Sequence, residues 1–209
     1  MAPPDRHIVL LMKPPETRFF SEEISKIAPS TTLYPVHDAA ALRRVTSRAP
    51  ETARLIAFST AIIVPPEILG HFRYNCYNFH PGPPEFPGNR PSAFALYAGA
   101  TRFGVTLHQM HDKVDAGPII AVSRFAVGNV EDAQALAVEA YKQLARLFLR
   151  NLTTLVRTEM PPMPLPIAWS GEKGTMAKYD SLRRIEGSLD GEELARRMRC
   201  FDGIYCPLI

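Results

Sequence analysis

Two short stretches of the chain gather side chains that can do chemistry. The first is Tyr77-Asn78-Phe79-His80-Pro81-Gly82-Pro83. The second runs from Gly104-Val105-Thr106-Leu107-His108 to Asp115-Ala116-Gly117-Pro118-Ile119. They supply an amide, an imidazole and a carboxylate, which can stabilise an oxyanion, move a proton and orient a base. Asn78 and His80 are two apart, so in an extended segment they point the same way. Pro81 cannot continue a ladder, so the strand should stop there and leave both groups at its carboxyl end. Open α/β sheets place their sites at such ends. Asp115 has to be brought back by the fold.

The positioning elements are legible in outline. His7 to Met12 reads as a first buried strand. Lys13-Pro14-Pro15-Glu16-Thr17 follows and contains no glycine, so it lacks the turn that lets backbone amides cradle a phosphate. A helix is expected from Arg18 to Ala28 and a strand from Thr31 to Val36. Asp38 should cap a helix through Ser47. Arg54 to Ser59 reads as a third strand, and Pro65 or Pro66 can open a short helix to Leu69. Tyr74 to Phe79 is the fourth strand. Pro81 to Pro91 is too rich in Pro and Gly for helix or central strand. Ser92 is expected to cap a helix to Ala98, with Gly99 at its exit. Val105 to Met110 alternates, which predicts a strand with one wetter face, and Ile119 to Phe125 returns as another. From Val130 to about residue 157, Ala137, Tyr141, Leu144, Phe148, Leu152 and Leu155 recur at helical spacing, the pattern of core packing. Met160 to Pro166 forms a stiff linker. A last helix starts at Asp190, with Glu193 completing a capping box, and runs to about Cys200. Alternating strands and helices predict an α/β fold: a Rossmann-like, mostly parallel sheet flanked by helices, with a short C-terminal helical tail.

The 209 residues are 46% hydrophobic and 22% charged, enough for a sizeable core and unlike a disordered chain. The net charge of +3 comes from scattered residues, so no nucleic-acid surface is inferred. No apolar run is long enough to span a bilayer, and His7 to Met12 is too short for a signal peptide core, so a cytoplasmic location is expected. Cys76, Cys200 and Cys206 read as reduced thiols without zinc-site spacing. His7, His37 and His71 read as ordinary surface or packed residues, while His108 either hydrogen-bonds near the site or only packs. His80, His108, His111 and Asp115 lack metal-ligand spacing, so no metal is assigned.

Asn78-Phe79-His80-Pro81, Gly-x-Thr-x-His at 104–108 and Asp-x-Gly-Pro-Ile at 115–119, in that order, resemble the 10-formyltetrahydrofolate-dependent formyltransferase family. The resemblance is dense from Leu55 to Phe125 and thin elsewhere. It implies a catalytic domain over residues 1–159, followed by the proline linker and tail over 160–209. It implies transfer of a formyl group from 10-formyltetrahydrofolate to an amine through a tetrahedral oxyanion. Asn78 would donate to that oxyanion, and His80 would stabilise it and shuttle the amine proton toward N10. Asp115, favoured over Asp112 by its motif, would orient His80 or position a water. Ile62, Ile63, Val64, Met110, Val114 and Asp115 would bound the folate pocket, the first three as an apolar wall against the pterin.

Two departures stand out. Many members have a serine where this chain has Gly82, so that hydroxyl is lost. The Gly/Ser-rich loop of glycinamide ribonucleotide formyltransferases is missing after the first strand, which disfavours that acceptor. Formyl transfer to water, methionyl-tRNA formylation, a non-catalytic folate-binding module and a role in metalloenzyme maturation remain alternatives. No regulatory domain fits before His7, which counts against the hydrolase. The short tail and the weak basic balance favour a small amine or amino sugar over tRNA. Met198, Phe201, Ile204, Tyr205 and Leu208 form a candidate apolar patch for a homodimer.

Overall fold

Short apolar runs bounded by polar breaks become the central strands. The computed structural model describes residues 6–73, 75–158, 160–185, 189–201 and the backbone of 204–205. Strand β1 (His7–Leu11) lies between β2 (Thr32–Val36) and β3 (Arg54–Phe58), and β3 lies beside β4 (Cys76–His80). All three pairings are parallel. With β5 (Arg102–Gln109) and β6 (Ile119–Ala126) they complete a mostly parallel six-stranded sheet in the order β2-β1-β3-β4-β5-β6. The observed β4 begins at Cys76 and includes His80; Tyr74 lies outside the described residues.

The helices start where proline or a capping side chain permits. Helix α1 (Pro14–Ile27) begins a turn earlier than the expected Arg18, because Pro14 and Pro15 occupy its first positions, where no amide partner is needed. In α2 (Ala39–Thr46), Asp38 Oδ1 accepts from the Ala41 amide at 2.6 Å, the cap expected from sequence. Helix α3 (Pro66–His71) starts on Pro66. Helix α4 (Pro91–Tyr97) corrects the reading of Ser92 as a cap: Pro91 fixes the first turn, Arg90 is the N-cap at φ 52°, and Ser92 is buried inside the helix. Helix α5 (Ala133–Arg157) starts later than Val130, where Asp132 Oδ1 accepts from the Ala135 amide at 2.7 Å. Its buried face carries Leu136, Ala140, Leu144, Phe148, Leu152 and Leu155, whereas Tyr141, assigned to the core from its spacing, is 39% exposed.

By compactness the chain divides into two units, and β5, β6 and α5 contribute residues to both. The first comprises Met1–His80, Leu107–Ala121 and Arg146–Ile167. Strand alternation sorts its core. Leu55 and Ala57 join Val9, Leu11, Val36, Leu42, Leu69, Phe72 and Cys76 in one cluster. Phe58 turns the other way into a ring set, with Phe20–Phe58 centroids at 5.0 Å, Phe20–Phe148 at 3.8 Å and Phe79–Phe148 at 4.8 Å. Each fully buried apolar side chain of this size contributes roughly 1.5–3 kcal/mol.

The second unit comprises Pro81–Thr106, Val122–Ala145 and Ala168–Ile209. It contains α6 (Met176–Arg183), absent from the sequence reading, and a two-residue parallel pairing of β7 (Arg184–Ile185) with β8 (Ile204–Tyr205). Helix α7 (Gly191–Phe201) is capped by Asp190, whose Oδ1 accepts from the Glu193 amide at 2.8 Å. The Glu193 carboxylate accepts from Tyr97 and Arg197 at 2.6 Å each. Phe201 is buried against Phe94, Tyr97 and Tyr179 at 5.1–5.7 Å. This corrects its placement in an exposed dimer patch. Met198 is exposed; the side chains of Ile204 and Tyr205, and all of Leu208, lie outside the described residues.

The proline-rich loop after β4 is strapped by residues 170–174. Ser170 N donates to Pro84 O at 2.9 Å, Gly174 N to Pro87 O at 2.8 Å, and Asn89 N to Gly174 O at 2.8 Å. A Cβ at position 174 would lie 2.5 Å from Asn89 O, so only glycine allows this approach. Among the described residues, no helix is long and apolar enough to cross a membrane.

Candidate active site

Asn78, His80, His108 and Asp115 all belong to the first unit. Asn78 and His80 take alternate positions at the end of β4, the placement their spacing predicts. His108 comes from β5, expected to have a wetter face. That expectation is corrected: Phe103 through His108 are all buried, because β5 lies inside the sheet between β4 and β6. Its polar members find partners there. Thr106 Oγ1 donates to Gly82 O at 2.8 Å, and His108 Nδ1 donates to Gln109 O at 2.9 Å.

Asp115 reaches the site from the loop after β5. Its backbone sits in the left-handed region at φ 49°, unusual for a residue other than glycine. Two residues on, a Cβ at Gly117 would lie 2.0 Å from Gln109 O. The turn back is closed by Gln109 N, which donates to Pro118 O at 2.9 Å. The glycine and proline of Asp-x-Gly-Pro-Ile thus seat the loop on the residue whose carbonyl also fixes the His108 ring.

The Asp115 side chain, 4% exposed, puts its carboxylate between two imidazoles. Its Oδ2 is 3.4 Å from His80 Nδ1 and its Oδ1 is 3.3 Å from His108 Nε2. Asn78 Nδ2 is 3.1 Å from the same His108 nitrogen. A carbonyl can only accept, so the Gln109 contact puts a proton on His108 Nδ1 and turns Nε2 toward Asn78 and Asp115. With Nδ1 of His80 turned to a carboxylate, its Nε2 is the nitrogen able to take a proton. An amide, two imidazoles and a carboxylate therefore meet at one largely buried place. His108 was left undecided by sequence, and Asp112, the rival carboxylate, is exposed. Cys76, at the start of β4, is no nucleophile: burial pushes its thiol up to about 12.

The expected folate-pocket residues divide. Ile62, Val64 and Met110 are partly buried against the same core cluster. Ile63 is 70% exposed, and Val114 is exposed as well. Among the described residues, no group of three or more His, Cys, Asp or Glu side chains could hold a metal ion.

Residues 13–152 match the formyl transferase family model, and the chain belongs to that enzyme family, whose members use tetrahydrofolate derivatives. A methionyl-tRNA formyltransferase of Sorangium cellulosum is 30% identical over 139 residues, 66% of this chain and 44% of the relative. The chain spans about half the length of the curated relatives it matches. The fold is shared with a sugar N-formyltransferase from a Shewanella species, at TM-score 0.70 and 14% identity over 93% of this chain and 87% of that one. It is also shared with an N-formyltransferase from Helicobacter canadensis, solved with folinic acid and dTDP-3-aminofucose. That likeness has TM-score 0.70 and 16% identity over 94% of this chain and 80% of that one.

Proposed function

We propose that this chain transfers the formyl group of 10-formyltetrahydrofolate to the amine of a small acceptor, an amino sugar by preference. The observation that carries the reading is the Asp115 carboxylate between His80 and His108, with Asn78 on the same His108 nitrogen. The amine nitrogen bonds to the formyl carbon, and the carbonyl electron pair moves onto oxygen. Asn78 donates to that oxyanion, an interaction worth about 3 kcal/mol where measured in other enzymes. His80 takes the proton from the attacking nitrogen and delivers it to N10 as the carbon–N10 bond breaks. Asp115 holds His80 in the competent tautomer and stabilises its charged form. All of these groups fall within residues 1–159, the segment assigned to catalysis.

Folate is assigned to the surface formed by Ile62, Ile63, Val64, Met110 and Val114. Ile62, Val64 and Met110 fit this role as a wall already anchored on the core. The acceptor reading draws on the fold likeness to sugar N-formyltransferases and on a net charge of only +3, weak for gripping tRNA. A second reading, transfer to methionyl-tRNA, is favoured by the named sequence relatives. One experiment separates the two: formylation by the 209-residue chain of charged initiator tRNA and of a panel of nucleotide-linked amino sugars. Turnover of an amino sugar is expected. Efficient, salt-sensitive formylation of the tRNA alone would overturn the acceptor assignment.

A further inference from the structure

At the amino end of the same strands lies a pocket of about 470 Å³ that the reaction does not use. Asn75 precedes β4 and His80 ends it, so the pocket is ~15 Å from the catalytic groups at the usual strand rise. It is lined by Arg6, Arg54 and Arg73 against a single described carboxylate, Glu51. Arg73 is paired with Glu51 at 2.8 Å. Arg6 and Arg54 have no carboxylate in ion-pair range among the described residues.

Arg54 is buried, and its side chain is spread over carbonyls. Its Nε donates to Asn75 Oδ1 at 2.9 Å, its Nη1 to Leu155 O and to Thr154 O at 3.4 Å, and its Nη2 to Thr158 O at 3.3 Å. Arg6 Nη1 donates to the same Thr158 oxygen at 2.9 Å. Two guanidinium groups thus converge on one neutral acceptor, where they repel. Burial first, and then the like charge of Arg6, lower the pKa of Arg54. Among the described residues, four of the five Arg6 N–H donors and one of those on Arg54 meet no acceptor. Thr52 and Asn75 add polar groups, and Ile8, Phe72 and Leu155 add an apolar wall.

We propose that this pocket is a second ligand site, for a small organic anion whose carboxylate or phosphoryl oxygens lie against Arg6 and Arg54. The backbone carbonyls of Thr154, Leu155 and Thr158 hold Arg54 in place, so the site is preorganised, and an entering anion would balance charge that no described carboxylate pairs with. The apolar wall selects an anion with a carbon body over a bare inorganic one.

The test uses the full chain with citrate, benzoate and inorganic phosphate as probes, followed by calorimetry and thermal melting at matched ionic strength against chloride. Saturable binding is expected, with an organic anion tighter than phosphate. Arg6→Gln, a change at a residue that is not fully buried, should weaken it at least about tenfold. Equal affinity in the wild type and Arg6→Gln would overturn the proposal, as would no binding beyond chloride. Displacement of the bound anion by a reduced folate would place it at the catalytic groups instead and would equally overturn it.

Discussion

Asp115 carries an unusual combination at the residue scale: a left-handed backbone, near-complete burial and an imidazole at each carboxylate oxygen. His108 touches Asn78 and Asp115, so we assign it a positioning role, acting through the Asn78 amide. Asn78→Ala should lower kcat by about 100-fold with folate affinity largely kept. His108→Ala should also lower kcat, but little further in the Asn78→Ala background. Losses that simply multiply in the double-mutant cycle would sink the positioning role. Asn78 and His80 were legible from period-two spacing and a following proline. His108 was not, because an alternating strand pattern looks the same whether its polar side faces water or a satisfied interior. What decides is the neighbour on each side, which is a property of the sheet.

At the element scale, the same limit explains the other differences. Side-chain chemistry points to Ser92 for the start of α4, but the fixed φ of Pro91 outranks a hydroxyl and sets the first turn. Helix α6 has only Tyr179 buried and little apolar periodicity, so nothing in Met176–Arg183 announces it. The long stripe of α5 was legible from Leu144 onward, where it packs on the strands. At Tyr141 the same spacing places a ring that the fold leaves 39% exposed. The loop from Thr60 to Pro65 yields an element-scale prediction. Ile62 and Val64 anchor it on the core, whereas Ile63 is exposed. Ile63→Asp should therefore leave stability within about 0.5 kcal/mol of wild type. It should weaken binding of a reduced folate in calorimetry, because a carboxylate would face an apolar ring. Unchanged folate affinity in that variant would remove this loop from the pocket.

On the scale of the whole molecule, one sheet serves opposite ends differently. The carboxyl ends of β4 and β5 carry the groups assigned to formyl transfer, and the amino ends of β1 and β3 carry Arg6 and Arg54 of the second pocket. The order β2-β1-β3-β4-β5-β6 also grades the strands by shelter. Strand β3 has every residue buried and a paired neighbour on each side, while β2 is an edge strand interrupted by Pro35. In heavy water, amide protons of Leu55 to Phe58 should therefore exchange last, at a rate set by unfolding of that entire sheet core, and those of β2 much earlier. The slowest set, followed by mass or magnetic resonance, would then serve as an internal gauge of global stability. Binding of folate, or of an anion at the far pocket, could be weighed against it without measuring catalysis at all.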